Sequence, residues 1–195
     1  IWKAPLEQDI LSAIVAGQSE AFCSGATIDS VVNVILESCG SLARQLFSRS
    51  IEIARNAKSD KELYKQLYAH CLIKECSIKT DGPMPPKVKP KNYVDGFYSG
   101  ILFAEQQPLA LAYFVYGQGD PKRTVLTAVK GGRDADSIAT NSASWLGALA
   151  GESVWPKQWL TTVQKANIKR LDLRQTAENL ADRGLHNGTV NFGRI

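Results

Sequence analysis

Apolar residues recur at helical spacing along nearly the whole chain, and this pattern constrains the fold more than any other feature. Ile28, Val31, Val32 and Ile35 illustrate it, because on a helix they form a single apolar stripe. The alternation of apolar and polar positions that is typical of half-buried strands is scarce. The chain is therefore predicted to be all-α. Helices are predicted over residues 8–16, 28–38, 41–56, 60–75, 93–104, 108–116, 123–130, 137–151, 156–166 and 171–183.

The segment 77–91 interrupts this pattern. It contains four prolines, and proline ends helices because it lacks a backbone donor and clashes with the preceding turn. We predict a proline-rich loop here, inside one domain that spans residues 1–195, and an irregular tail over 184–195. A chain of 195 residues with 44% hydrophobic content is sufficient for one core.

Two carboxylates and a hydroxyl stand together where the helix predicted over 137–151 begins. Asp134, Asp136 and Ser137 are hard oxygen donors, the kind that Mg²⁺, Ca²⁺ and Mn²⁺ prefer. The alternative is that one of them caps the helix, since Asp and Ser are favoured N-cap residues. Capping needs only one of the three oxygens, and the local pattern leaves both interpretations open.

Small residues follow this cluster at every fourth position. Ala139, Ala143, Gly147 and Gly151 would form a ridge on which another backbone can approach closely. Gly147 destabilises a helix by about 1 kcal/mol relative to alanine, so packing must offset that loss. The apolar run is shorter than the roughly 20 residues that cross a bilayer. We therefore predict a buried helix that packs at short range against a neighbour.

These motifs resemble those of the ADP-ribosylglycohydrolases, the family of the dinitrogenase reductase-activating glycohydrolase. The family signature is Gly-Gly-Asp-Thr-Asp-Thr or Gly-Arg-Asp-Ala-Asp-Thr, then a Gly-Ala-x-x-Gly helix, then Ile-Pro-x-x-Trp. Residues 132–137 read Gly-Arg-Asp-Ala-Asp-Ser, 147–151 read Gly-Ala-Leu-Ala-Gly, and 155–159 read Trp-Pro-Lys-Gln-Trp. The resemblance is specific over 107–182 and general over 8–56.

The resemblance implies a compact bundle of orthogonally packed helices and a two-Mg²⁺ site that holds the ribose end of ADP-ribose. By position, Asp134, Asp136 and Ser137 would be metal ligands, with Asp136 bridging both ions, and Gly132 and Arg133 would contact the substrate. Ser137 stands where the family has threonine and keeps the hydroxyl. The implied activity is Mg²⁺-dependent hydrolysis of an N- or O-glycosidic ADP-ribosyl bond in an ADP-ribosylated protein or a small ADP-ribosyl or ribosyl compound.

The other half of the family site has no counterpart in this sequence. The family carries Thr-Asp-Asp and Gly-Asp-x-x-Gly motifs, whereas this chain contains no Asp-Asp pair, begins at Ile1 and has Met84 as its single methionine. We therefore expect the chain to be the C-terminal part of a family domain. The catalytic acid or base and the remaining ligands would lie on a missing N-terminal segment or a second chain. Alone, this chain should bind Mg²⁺ weakly and hydrolyse nothing.

Two other functions stay open at this point. The chain could be a non-catalytic structural or binding relative, since the family includes a lens crystallin. It could also hydrolyse another ribosyl or nucleoside-type substrate on the same scaffold. A Thr-Asp-Asp motif in the missing segment would argue against the first alternative, and a substrate screen would test the second.

Charge and cysteine content add weaker expectations. The net charge of +4 is modest and the basic residues are scattered, so neither a nucleic-acid partner nor a membrane is predicted. Four cysteines in a chain of this length, with no visible secretion signal, favour reduced thiols in the cytoplasm. A zinc site at His70, Cys71 and Cys76 is disfavoured because no second ligand pair stands at a known spacing.

Overall fold

The computed structural model describes residues 5–72 and 101–186, and all regular structure in these ranges is helical, which confirms the predicted all-α class. The predicted loop over 77–91 lies outside the described residues. Chain contacts define two units, Ile1–Val154 and Trp155–Ile195. The helices are α1 (Pro5–Ala21), α2 (Ile28–Glu37), α3 (Ser41–Asn56), α4 (Asp60–His70), α5 (Ile101–Gly117), α6 (Pro121–Lys130), α7 (Ala135–Ala150), a short 3-10 helix (Glu152–Val154), α8 (Lys157–Asn167) and α9 (Leu173–His186).

Helix α5 is the centre of the first unit. Every residue from 104 to 117 is buried, and α5 packs against α1, α2, α3, α6 and α7. A helix that is apolar on all sides is expected to lie inside a core. It continues through Pro108, so the break predicted between residues 104 and 108 is wrong. An interior proline costs about 3 kcal/mol, but fully burying side chains such as Leu109 and Phe114 gains roughly 1.5–3 kcal/mol each.

Helix α6 returns antiparallel to α5. It begins at Pro121, two residues before the predicted range of 123–130, and the side chain of the N-cap residue Asp120 accepts the Arg123 N–H at 2.9 Å. At this end the two helices nearly touch, because a Cβ added to Gly117 would lie 1.9 Å from Thr124 Oγ1. The glycine therefore permits the close crossing that directs α6 back along α5.

Helix α4 fixes the C-terminal end of α6 through two tyrosines one turn apart. Tyr64 Oη donates to the carbonyl of Thr127 at 3.0 Å, and Tyr68 Oη donates to the carbonyl of Gly131. The Thr127 carbonyl also accepts the Gly131 N–H at 2.9 Å, whereas the Gly131 carbonyl lies just beyond α6, where helical hydrogen bonding ends. The residues that follow α6 therefore start from a defined position.

Helix α7 runs parallel to α5, and Ser142 Oγ donates to the carbonyl of Ala110 on α5 at 2.8 Å. Of the predicted ridge, Ala139 is buried, Ala143 and Gly147 are half-buried, and Gly151 is exposed. Gly151 ends the helix with a φ of +74°, and a Cβ there would meet nothing within 4 Å. The ridge therefore stops before Gly151. The buried face of α7 consists of Ile138, Ala139, Ser142, Trp145 and Leu146.

The second unit contains α8 and α9. Asp172 precedes α9 and accepts hydrogen bonds from the Gln175 N–H at 3.1 Å and from Gln164 Nε2 at 2.9 Å. Helix α9 continues to His186, three residues into the segment predicted to be an irregular tail. Within the described parts of the chain, no helix combines the length and apolar character that a bilayer crossing requires.

Candidate metal and substrate site

The connection between α6 and α7 is a sharp turn built on two left-handed residues. Gly132 has φ +72° and Arg133 has φ +61°. Glycine adopts this conformation without strain, whereas for another residue it costs roughly 1–2 kcal/mol. Gly131, just before the turn, leaves room for a tyrosine, because a Cβ there would lie 2.1 Å from Tyr113 Oη. The turn brings Asp134 to the start of α7 immediately after the end of α6.

The strained Arg133 is held by a carboxylate in the interior of α5. Its Nε donates to Glu105 Oε1 at 2.6 Å and its Nη2 donates to Glu105 Oε2 at 3.1 Å. Glu105 is only 1% exposed, so this ion pair forms where water screens it little. A two-point guanidinium–carboxylate contact fixes orientation as well as distance.

Asp134 is held by the next residue of α5. Gln106 Nε2 donates to Asp134 Oδ2, and the Gln106 side chain is itself buried. The backbone of Asp134 occupies the N-cap position of α7, but its side chain makes no capping hydrogen bond. Capping of α7 would in any case need only one of the three oxygen-bearing groups, so it leaves Asp136 unaccounted for.

The two aspartates influence each other's protonation. Partial burial raises the pKa of Asp134, and its interaction with the Asp136 carboxyl raises it further. That same interaction lowers the pKa of the exposed Asp136. Two carboxylates this close repel each other when both are ionised, and either a shared proton or a cation relieves the repulsion. The first turn of α7 therefore presents an oxygen cluster suited to a cation.

The donor set fits part of a metal site. Asp134, Asp136 and Ser137 supply two carboxylates and a hydroxyl, which suit Mg²⁺. Among residues 5–72 and 101–186, no group of three or more His, Cys, Asp or Glu side chains could hold a metal ion. The described residues therefore do not form a complete site of this kind by themselves.

Sequence reasoning missed the two α5 residues that support the cluster. Glu105 and Gln106, with Gln107, form a polar run inside an otherwise apolar helix, and all three are buried. Buried polar side chains need partners, so this run was an available signal. Its partners, Arg133 and Asp134, are each 28 positions away, and no local motif indicates them.

A model of the ADP-ribosylglycohydrolase family matches residues 9–190. The match includes the motif-bearing region and extends through the N-terminal helices, where the sequence showed only a general likeness. Searches of curated proteins and of solved structures gave no match. The family model matches nearly the whole chain, and the helices of the described residues agree with the all-α fold of that family. The chain belongs to the ADP-ribosylglycohydrolase family.

Proposed function

We propose that the chain contributes to Mg²⁺-dependent hydrolysis of an N- or O-glycosidic ADP-ribosyl bond. In this proposal Asp134, Asp136 and Ser137 are the ligands that the chain supplies to a two-metal site. The observation that carries the proposal is the clustering of these three oxygens in the first turn of α7, directly after the Gly132–Arg133 turn. Membership of a glycohydrolase family supports the reaction class.

The cluster has the chemistry that a divalent cation requires. A cation would take the place of the proton that the Asp134 and Asp136 carboxyls otherwise compete for. The positive end of the α7 dipole stabilises ionised carboxylates in this turn and so keeps them available as ligands. When bound, Mg²⁺ would polarise the substrate, fix the ribose hydroxyls and orient a water molecule.

The chain's own residues prepare this arrangement. Gln106 holds one oxygen of Asp134, which fixes the direction of the carboxyl group. Ser137 follows Asp136 within the same helical turn and would add an uncharged hydroxyl oxygen as a metal ligand. Gly132 and Arg133 form the wall of the turn beside these ligands, where a bound ribose would come closest to the backbone.

The proposal assigns the rest of the site to another segment. The sequence lacks an Asp-Asp pair, and the described residues lack a cluster of three ligating side chains. The acid or base that activates water and the remaining metal ligands would come from outside the described residues or from a second chain. The substrate would be an ADP-ribosylated protein or a small ADP-ribosyl or ribosyl compound.

The test is release of ADP-ribose from a panel of proteins modified on different side chains. It uses protein purified from its native source with any associated chain, in Mg²⁺ or in EDTA. Asp136→Asn should lower release at least about 10-fold, the lower end of the effect seen around metal sites. Asp29→Asn is a matched control, because Asp29 is also in the first turn of its helix and is exposed.

Release that is unaffected by EDTA, or equal in Asp136→Asn and wild type, would contradict the proposal. Cleavage confined to unmodified nucleosides would instead support the alternative ribosyl substrate. Activity of the isolated chain without any partner would overturn the assignment of the remaining residues to another segment.

A further inference from the structure

Successive residues of α5 hold successive residues of the loop before α7. Glu105 binds Arg133 through two hydrogen bonds of 2.6 and 3.1 Å, and Gln106 donates to Asp134. Both α5 side chains are buried, at 1% and 6% exposure, on a helix whose other buried residues are mostly apolar. A rigid, buried helix is the kind of support that fixes a metal ligand within a narrow range of positions.

The conformation of Arg133 indicates that this contact is specific. Its φ of +61° is one that residues other than glycine avoid, and a glycine stands immediately before it at φ +72°. A second glycine at position 133 would relieve the strain, but it could not make the two-point contact with Glu105. The contact with Glu105 therefore offsets the free-energy cost of the Arg133 backbone conformation.

We propose that Glu105 and Gln106 are positioning residues that set the ligand loop of the metal site, Glu105 through Arg133 and Gln106 directly through Asp134. The inference rests on the proposed Mg²⁺ site. It goes beyond that proposal by assigning a role to two α5 residues and by making Arg133 part of the support for the ligands.

A positioning role and a purely electrostatic role for Arg133 predict opposite changes in Mg²⁺ affinity. A guanidinium beside a cation site repels Mg²⁺, so a purely electrostatic role predicts tighter binding when the charge is removed. A positioning role predicts weaker binding, because the loop loses its attachment to Glu105. The sign of the change in affinity in Arg133→Gln therefore separates the two roles.

The experiment is calorimetric titration with Mg²⁺ alone, on protein that retains any associated chain. Arg133→Gln should bind at least about 10-fold more weakly than wild type, as is typical when support for a metal ligand is lost. Arg133→Lys keeps the charge but not the planar fork, so it should also weaken binding. Arg133→Gly relieves the strain and should weaken binding as well. Tighter binding in Arg133→Gln, or wild-type affinity in Arg133→Lys, would overturn the inference.

Gln118→Gly provides a matched control. Gln118 is another non-glycine residue in the left-handed region, at φ +53°, and it lies in the connection between α5 and α6. Replacing it with glycine relieves comparable strain away from the ligands, so Mg²⁺ affinity should stay at the wild-type value. A loss of affinity in this control equal to that in Arg133→Gly would contradict a specific role for the Arg133 contact.

Hydrogen exchange in the metal-free protein keeps this inference distinct from the proposed function. Arg133→Gln and Gln106→Leu should speed exchange of the amides of residues 131–137, while exchange in α3 stays at the wild-type rate. If wild type binds no Mg²⁺, the proposed function fails, and loop exchange alone decides the positioning role. Unchanged exchange in both variants would overturn it.

Discussion

Gly131 is the position where one added methyl group should disturb the base of the ligand loop most directly. It ends α6 with φ −64° and ψ −18°, a conformation that alanine adopts freely. A Cβ there would lie 2.1 Å from Tyr113 Oη and 2.8 Å from Tyr113 Cζ. Tyr113 is 1% exposed, so its ring has little room to retreat. The substitution Gly131→Ala therefore isolates a packing effect.

Two opposing free-energy contributions determine how much Gly131→Ala changes the stability of the protein. Replacing glycine by alanine in helical backbone gains up to about 1 kcal/mol. Overpacking a filled core costs about 1–3 kcal/mol. Because the overlap is severe and the neighbour is buried, we expect the upper part of that range and a net loss of about 2 kcal/mol. For a chain of this size that corresponds to a decrease in Tm of about 4–8 °C.

The assay is thermal unfolding followed by circular dichroism, with a double-mutant cycle. Tyr113→Phe removes Oη and leaves Cζ as the nearest ring atom, so Gly131→Ala should cost at least about 0.5 kcal/mol less in that background. A Tm equal to or above that of wild type in Gly131→Ala would refute the reasoning. An identical cost in both backgrounds would show that Tyr113 is not the residue displaced.

Three further predictions concern stability and reactivity. Burial raises the pKa of Tyr64 to about 12, so its contribution to stability should be complete below pH 10 and lost as pH rises from 10 to 12. The urea midpoint should fall over this pH range, and Tyr64→Phe should reduce that fall. The Asp9 carboxylate accepts the N–H of Gly40, the N-cap residue of α3, at 2.8 and 2.9 Å, so Asp9→Ala should cost about 0.5–1.5 kcal/mol in urea unfolding, the net value of one hydrogen bond, and no change would contradict this. Cys23 is exposed, whereas burial raises the pKa of Cys71 to about 11, so iodoacetamide at pH 8 should modify Cys23 before Cys71 by mass spectrometry, and equal rates at the two thiols would refute this.

The sequence predicted helices well where local signals and tertiary packing agree. The bounds of α3, Ser41–Asn56, match the prediction at both ends, and the start of α6 follows from Asp120 and Pro121. Helix α5 shows where local rules fail. Pro108 predicts a break, but the packing of five helices around α5 stabilises a continuous helix. That stabilisation depends on distant residues and has no local sequence signal.

In the candidate site as well, the sequence predicted the residues of the local motif and missed the residues that are distant in sequence. Asp134, Asp136 and Ser137 are close in sequence, so the motif predicted their proximity. Their supports, Glu105 and Gln106, are placed by the parallel packing of α5 and α7, which the helical pattern does not specify. The proposed metal ligands stay a prediction, and the structure adds the contacts by which the chain could hold them.

Calorimetric titration with Mg²⁺ tests the central proposal most directly. It compares wild type with Asp136→Asn and with the matched control Asp29→Asn, using protein that retains any associated chain. We predict a saturable binding heat for wild type and for the control, and a loss of that heat in Asp136→Asn. Equal Mg²⁺ binding by Asp136→Asn and wild type would contradict the assignment of the α7 cluster as the metal site.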